Sequence, residues 1–453
     1  MTQVASHAKD RAATALRLAL CALALGLAIY LETYRELSAF LWLSVAVILS
    51  FAAMVVPTIG PGERVCAKVI PFVMAVGIVV QAALIGSEWG GDYRIELGIA
   101  AVAVLGILQI FKLGGLRMPL VIFMAAGICW VESHAFLKNL PHPNIDVFNF
   151  QQSAADALVH GNNPYSMRMR NSYDATQTQL FYGPGVVGPD NRLNFGFPYP
   201  PLSLLLVMPA YWFGGDVRFA MVVASAIAAV LMALARPGRW GALAAALFLL
   251  TPRGLFVMEV GWTEPLGALM FSVMMFCACR WRAGLPWAIG LFLCTKQYNI
   301  LMLPLLGLLI EERVDWREIR GMLLKAGVVV VALNLPFFLW QPRDFVRATV
   351  IWQIIQPLRF DSLSYLPWIC KQFHLLQAPL LATAVSVGLA ICLAIFKGVR
   401  TPAGFAASLT LVNLAFFAMS KQAFPNYYYF VVCTCCWGVA ATRVGDGDLV
   451  SGS

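Results

Sequence analysis

Ionisable side chains are scarce in this chain, and those that interrupt its apolar runs are where chemistry could reside. Asp146, Asp156 and Asn163 share one polar stretch, Glu259 and Glu264 lie in a second, and Lys296-Gln297 breaks a long apolar segment. Lys421 and Tyr427 belong to a last polar corner, Ser420 to Tyr429. A carboxylate such as Asp146, held within hydrogen-bond reach, could take a proton from an acceptor hydroxyl. It could equally be an N-cap or first-turn acid, worth about 1 kcal/mol, and the two roles can coexist. Asp156 reads as a residue on the solvated face of the same helix. An ionisable group at membrane depth costs about 2.5–3.5 kcal/mol, so Lys296 between two apolar arms is either functional or paired. As a compact point charge it suits an anionic headgroup such as a phosphate. The bland alternative is a snorkelling lysine that anchors a helix end. Tyr165 and Tyr199 are amphipathic rings suited to an interface, as site residues or as belt aromatics. His142 lies four residues before Asp146, but Pro141 and Pro143 disfavour a helix that would pair them. The histidines and carboxylates show no metal-ligand spacing, and no P-loop or dinucleotide fingerprint is present. No cofactor and no metal are expected.

The elements that must position these groups are membrane helices. The sequence is 60% hydrophobic and 12% charged, against about 25% charged in a soluble domain. Its apolar runs approach the roughly 20 residues that a bilayer crossing needs. This composition points to an all-α polytopic membrane protein. The net charge of +9 does not call for nucleic acid, because Lys and Arg gather in short loops between spans. Most of the eleven cysteines lie inside apolar runs, Cys433, Cys435 and Cys436 among them. They read as small packing residues, with lipidation or redox chemistry as the alternative. Met1 to Asp10 is polar, and no cleavable signal pattern is visible.

Spans are expected near 13–31, 38–57, 65–86, 95–112 and 117–135. Lys9, Arg11 and Arg17, then Arg64 and Lys68, then Lys112 and Arg117 flank one side of these spans. Glu32, Arg35 and Glu36, then Glu88, Asp92 and Arg94, mark the other. The positive-inside rule places both termini in the cytoplasm and the polar stretch outside, in a bacterial-type plasma (inner) membrane. That stretch, from Asn144-Ile145-Asp146 through Gly161-Asn162-Asn163-Pro164-Tyr165 to Tyr199-Pro200-Pro201-Leu202, is a polar loop of roughly 60 residues, a usual location for function. Val147 to Val159 has the pattern of an amphipathic helix lying in the interface. Leu202–Phe213 is expected to be juxtamembrane or re-entrant, and Val217–Ala235 a true crossing. Further spans are expected near 240–256, 265–279, 321–340, 379–396 and 402–419, with a final one ending near Thr442. Pro286–Ile310 must rise and return before the charged run Glu311 to Arg320. It is therefore expected as a broken hairpin with Lys296 and Gln297 near the outer face. Gln341 to Gln377 is expected as a third outer loop. The total is roughly 13–14 membrane segments. Residues 1–136 would be an N-terminal helical part, 137–443 the catalytic membrane part with its outer loop at 137–216, and 444–453 a cytoplasmic tail.

The order Asp146, Gly161-Asn162-Asn163-Pro164-Tyr165, Tyr199-Pro200-Pro201-Leu202 resembles the first outer loop of the GT-C superfamily of membrane glycosyltransferases. It is most similar to glycosyltransferase family 87, the polyprenyl-phosphate-mannose-dependent α-mannosyltransferases. Thr295-Lys296-Gln297-Tyr298 resembles the family's short Lys-containing break between membrane helices. The resemblance covers 140–425 loosely and the first loop closely. It departs from the family in having roughly five spans before the loop, where the family usually has one, and in an insert, Asn171 to Asn194. The resemblance implies a GT-C-like bundle and a general base at Asp146. It also implies a polyprenyl-phosphate sugar donor, transfer with inversion, and Lys296 on the leaving phosphate. Asn163, Tyr165, Tyr199, Glu264, Lys296, Gln297, Lys421 and Tyr427 are then the candidate substrate-binding residues. The expected activity is transfer of a mannose-like hexose or a pentose to an acceptor hydroxyl on a glycolipid, polysaccharide or protein at the outer face. The alternatives are a transporter or flippase of lipid-linked sugar, because broken helices with a Lys in the break also serve transporters, and a membrane polysaccharide polymerase or ligase.

Overall fold

A computed structural model describes residues 2–33, 36–57, 61–139, 143–310, 314–375 and 379–443. Arg35, His142, Glu311, Gln377 and the 444–453 tail lie outside the described residues, as do the side chains of Lys9 and Arg11. The architecture is all-α. Among the described residues seven helices are long and apolar enough to cross a bilayer, which makes the chain an integral membrane protein.

The amino-terminal part holds α1 (Thr2–Glu32), α2 (Glu36–Val55), α3 (Pro61–Glu88), α4 (Tyr93–Leu108) and α5 (Arg117–Asn139). The polar stretch follows, with α6 (Asp146–Val159) and α7 (Ala175–Tyr182). Then come α8 (Pro201–Gly214), α9 (Arg218–Ala235), α10 (Arg239–Leu249), α11 (Gly254–Glu259), α12 (Glu264–Arg280) and α13 (Leu285–Leu293). After a 3-10 helix, Gln297–Leu309, the chain continues through α14 (Trp316–Trp340), α15 (Pro342–Val346), α16 (Trp352–Ile355) and α17 (Tyr365–Gln372). It closes with α18 (Leu380–Lys397), α19 (Pro402–Ala418) and α20 (Pro425–Ala440). Among the described residues β-pairing is confined to isolated antiparallel bridges, Arg170 with Arg192 and Val187 with Leu193.

Small residues decide which helices are central. α10 reads Arg-Trp-Gly-Ala-Leu-Ala-Ala-Ala-Leu-Phe-Leu and is buried from Trp240 to Leu249. α19 and α20 are buried on nearly every face. Ala and Gly let backbones approach closely where lipid supplies no hydrophobic drive between helices. The outer helices keep one apolar face outward, with Leu41, Phe72, Phe123, Leu324 and Phe396 exposed. Such faces suit contact with acyl chains.

Several expectations change in the structure. The span expected at 240–256 stops at Leu249, and a short helix, α11, resumes at Gly254. Pro252 lacks an N–H and disfavours helical backbone at Thr251, so the helix must end there. The expected outer loop 341–377 is largely helical, carrying α15, a π turn at Arg347–Ile351, α16 and α17. Leu202–Phe213, by contrast, is the short helix expected there, 14 residues long and packed on α6 and α9. The arms around Lys296 are unequal. The carboxyl-terminal arm is a 13-residue 3-10 helix, much longer than the usual 3–4-residue pieces. At roughly 2.0 Å of rise per residue it reaches about 26 Å, against about 20 Å for the same residues in α geometry. A segment too short for an α-helical crossing thus approaches the thickness of the hydrocarbon core.

Candidate active site

The segments expected at the outer face meet around one cavity of about 440 Å³. Its wall takes Asp146 from α6 and Tyr173 and Tyr182 from the insert. Tyr199, Arg253, Lys296 and Arg359 come from later connections, Tyr427 from the first turn of α20, and Glu32 from the end of α1. Residues more than 390 positions apart share one polar chamber at one end of the bundle.

Asp146 opens α6, with Ile145 in extended backbone at the N-cap. The carboxylate therefore lies at the positive end of the helix dipole, as a first-turn acid rather than a cap. Tyr182 Oη donates to Asp146 Oδ2 at 3.1 Å, and the Asp146 backbone N–H donates to Tyr173 Oη at 3.2 Å. Asp146 keeps part of its surface open to the cavity. Burial pushes its carboxyl above the ordinary value, while the bonds from Tyr182 and Tyr173 and the charge of Arg359 pull it down. Burial, and then the nearby Asp146 charge, also raises the phenols of Tyr173, Tyr182 and Tyr199, so all three stay protonated donors.

α6 is held by its amphipathic pattern. Phe148, Phe150, Ala154 and Ala155 are buried, and the Arg218 guanidinium lies 5.0 Å from the Phe148 ring. Gln151 Nε2 donates to Gly261 O and Gln152 Nε2 to Gly215 O, both at 2.6 Å. Gly261 has φ +70, and a Cβ there would lie 3.3 Å from Phe148, so glycine is needed for both backbone and space. Asp156 is exposed and accepts a hydrogen bond from Tyr211 Oη at 2.7 Å.

Lys296 is 5% exposed. Its Nζ is 2.8 Å from Glu264 Oε1 and 4.4 Å from the centre of the Tyr199 ring. Glu264 is fully buried at the start of α12. The lysine is therefore a paired charge with one side on the cavity, and not a snorkelling anchor. It lies where α13 has ended and the chain has turned extended, with φ −147 and ψ 146. Thr295 Oγ1 and Asn299 Nδ2 both donate to Phe292 O at 2.8 Å and satisfy the broken end of α13.

Two further cations line the chamber, and the sequence did not single them out. Arg253 holds left-handed backbone, φ +61, at the head of α11. A bulky residue there is strained, and such strain gathers at functional sites. Its Nη1 is 2.9 Å from Glu88 Oε1, and its guanidinium lies 3.8 Å over the Phe256 ring. Arg359 makes a two-point pair with Asp361 at 2.8 Å on each arm, and it lies 3.9 Å over the Phe181 ring. Both stand in short loops. A search for charges isolated inside apolar runs passes over them, although Pro252-Arg253 at a helix break was a usable signal.

The remaining sequence candidates separate into lining and bracing groups. Gln297 lines the cavity, and its Nε2 donates to Pro198 O at 2.8 Å and Thr349 O at 3.0 Å. Tyr427 lines it beside Tyr298, with ring centres 6.0 Å apart. Lys421 faces the connecting loops: its Nζ donates to Ile354 O at 2.8 Å and Gln356 O at 2.7 Å. Burial lowers its pKa to about 8. Asn163 and Tyr165 lie behind the wall. Asn163 Oδ1 accepts from the Tyr165 backbone N–H at 2.9 Å, and Tyr165 Oη donates to Tyr199 O at 2.9 Å. Phe197 N donates to Pro164 O at 2.9 Å. A Cβ on Gly196 would come within 2.2 Å of Tyr165 O. The Asn-Pro-Tyr and Tyr-Pro-Pro elements thus brace each other and aim Tyr199. Glu259 is buried beneath Arg218, and burial pushes its carboxyl up to about 7. Among the described residues, no three or more His, Cys, Asp or Glu side chains gather where they could hold a metal ion.

Fold and chamber define an all-α integral membrane protein with a polar cavity at one end of the bundle, where the carboxylates of Glu32, Asp146 and Asp361 share a wall with the cations Arg253, Lys296 and Arg359. No family model matches the chain, and no curated protein matches it. Among solved structures it is similar to ArnT from Cupriavidus metallidurans bound to undecaprenyl phosphate. The identity is 18%, the TM-score 0.46, and the match covers 73% of this chain and 61% of that one.

Proposed function

We propose that this chain is an inverting membrane glycosyltransferase of GT-C type that uses a polyprenyl-phosphate sugar. The observation that carries the reading is Asp146, bonded by Tyr182, in one chamber with Lys296, Arg253 and Arg359. Asp146 takes the proton of the acceptor hydroxyl. The hydroxyl oxygen attacks the anomeric carbon from the face opposite the phosphate, the C–O bond to phosphate breaks, and polyprenyl phosphate leaves with the electron pair. The leaving group is already a stabilised anion, so a second carboxylate acting as acid is not required. The three cations stabilise charge as it collects on the phosphate. Each cation already has a carboxylate partner, Glu264, Glu88 or Asp361. Charge and position are thus in place before the donor arrives, which is the condition for preorganised stabilisation.

The sugar is read as a mannose-like hexose or a pentose, and the acceptor as a glycolipid, polysaccharide or protein hydroxyl. The chamber is placed at the outer face of a bacterial-type inner membrane, with both termini in the cytoplasm. The test uses purified protein in nanodiscs, radiolabelled polyprenyl-phosphate hexoses and pentoses, and a lipid and glycan extract. Transfer by the wild type that is lost in Asp146→Asn supports the reading. No transfer from any donor, with labelled lipid-linked sugar instead crossing a liposome membrane, would replace it with the transporter.

A further inference from the structure

The insert Asn171–Asn194 has no counterpart in the first-loop pattern that the rest of the stretch follows, yet it closes over Asp146. We propose that this segment is part of the active site and that Tyr182, which it carries, is a positioning residue. By donating its hydroxyl to Asp146 Oδ2, Tyr182 holds the base ionised and leaves Oδ1 for the acceptor. The inference rests on the glycosyltransferase reading for its role in catalysis, and on geometry for the hydrogen bond itself.

The segment is built to hold one side chain still. Asn171 is its hub: Nδ2 donates to Tyr173 O, Thr178 Oγ1 and Asn191 Oδ1 at 3.1, 2.8 and 3.0 Å, and Oδ1 accepts from Tyr173 N at 3.1 Å. Asp174 caps α7 through Gln177 N at 2.8 Å. The segment is tied to α6 where Asn149 Nδ2 donates to Ser172 Oγ at 2.7 Å. At the last residue of this eight-residue helix, Tyr182 is 2% exposed. Its ring lies 5.8 Å from Trp352 and 5.7 Å from Tyr173, between centres. Trp352 is itself stacked on Phe195 at 4.2 Å. A phenol clamped in this way has little freedom to turn its hydroxyl away from the carboxylate.

The chemistry gives that bond a purpose. A buried carboxylate drifts toward its neutral form, in which it cannot act as a base, and donors to the charged form oppose the drift. The groups that face Asp146 are Tyr173 and Tyr182 from the insert, Tyr199 from the stretch before α8, Tyr427 from α20 and Arg359 from the loop after α16. Glu32, Asp361, Arg253 and Lys296 share the chamber. Arg359 is engaged two-fold by Asp361. Tyr173 Oη accepts from the Asp146 backbone N–H and, with the Val147 backbone N–H, also favours the charged carboxylate, but the bond from Tyr182 Oη at 3.1 Å is the larger influence.

The test is an infrared pH titration of the protonated carboxyl band of Asp146 in nanodiscs, with the band assigned by its loss in Asp146→Asn. In Tyr182→Phe the midpoint is expected to rise by about one pH unit or more. The acid limb of the transfer rate should move by the same amount, with the loss recovered at higher pH. A midpoint unchanged in folded Tyr182→Phe, or a rate loss independent of pH, would overturn the proposal. If that variant does not fold, 3,5-difluorotyrosine at position 182 donates more strongly and should lower the midpoint; an unmoved midpoint would again refute it. The titration needs no substrate. Absence of transfer by the wild type therefore counts against the enzyme reading alone, and the infrared result still decides the role of Tyr182.

Discussion

Asp146 and Lys296 are both charges placed where water is scarce, and each is handled differently. Asp146 is neutralised in part by hydrogen-bond donors, and its carboxyl lies above the ordinary value because burial outweighs them. Transfer should therefore fail as pH drops through a midpoint above the usual carboxylate range. For stability the sign is opposite. Between the ordinary and the raised value the folded state binds more protons than the unfolded one, so stability declines as pH rises through that window. Asp146→Asn removes the charge that is costly to bury. We expect it to melt no lower than the wild type at neutral pH while transfer drops about 10²–10⁴-fold, as checked by thermal unfolding beside the nanodisc assay. Lys296 is neutralised by Glu264 at 2.8 Å. Lys296→Met leaves Glu264 buried and unpaired and should cost about 3–5 kcal/mol. Adding Glu264→Leu should restore most of the thermal stability without restoring transfer. If the double variant transferred sugar, Lys296 would have no part in holding the phosphate.

At the scale of elements, the insert behaves as one unit. Its ties radiate from Asn171, whose side chain makes several hydrogen bonds within it. Asn171→Ala strands those partners, at a cost of about 1–3 kcal/mol for the buried groups left unsatisfied. The expected result is faster hydrogen exchange confined to 171–194 and a higher donor KM, with the melting of the helical bundle little changed. Uniform loss of protection across α6 and α8 as well would mean that the insert is not a separate unit. The broken segment around Lys296 shows a different economy of chain length. A 3-10 helix spends fewer residues per ångström than an α-helix. It lets Gln297–Leu309 reach far through the bundle while its first residue stays at the cavity wall.

For the whole molecule, connections expected on one side of the membrane, at Glu32, Asp146, Arg253, Lys296, Arg359 and Tyr427, line one chamber. The side of the membrane can be tested directly. A cysteine at exposed Asp190 should react with a membrane-impermeant maleimide in intact cells, measured above the native cysteine background. One at exposed Arg317 should react only after permeabilisation. The reverse pattern would put the chamber in the cytoplasm.

The amino-acid order by itself determined the all-α membrane class and most helix positions, and it singled out Asp146 and Lys296 as charges among apolar runs. Apolar run length and the rarity of buried charge are local quantities that can be read one segment at a time. Pro252 was a readable stop for the crossing, but the left-handed backbone of Arg253 and the 3-10 winding of residues 297–309 became visible only in the structure. The partners were decided by tertiary structure alone. Glu264 finds Lys296, Asn163 and Tyr165 serve as a brace behind Tyr199, and Tyr182 reaches back 36 residues to Asp146. Each of those pairings depends on how helices pack across tens of residues, and hydropathy and spacing along the chain hold no record of that distance.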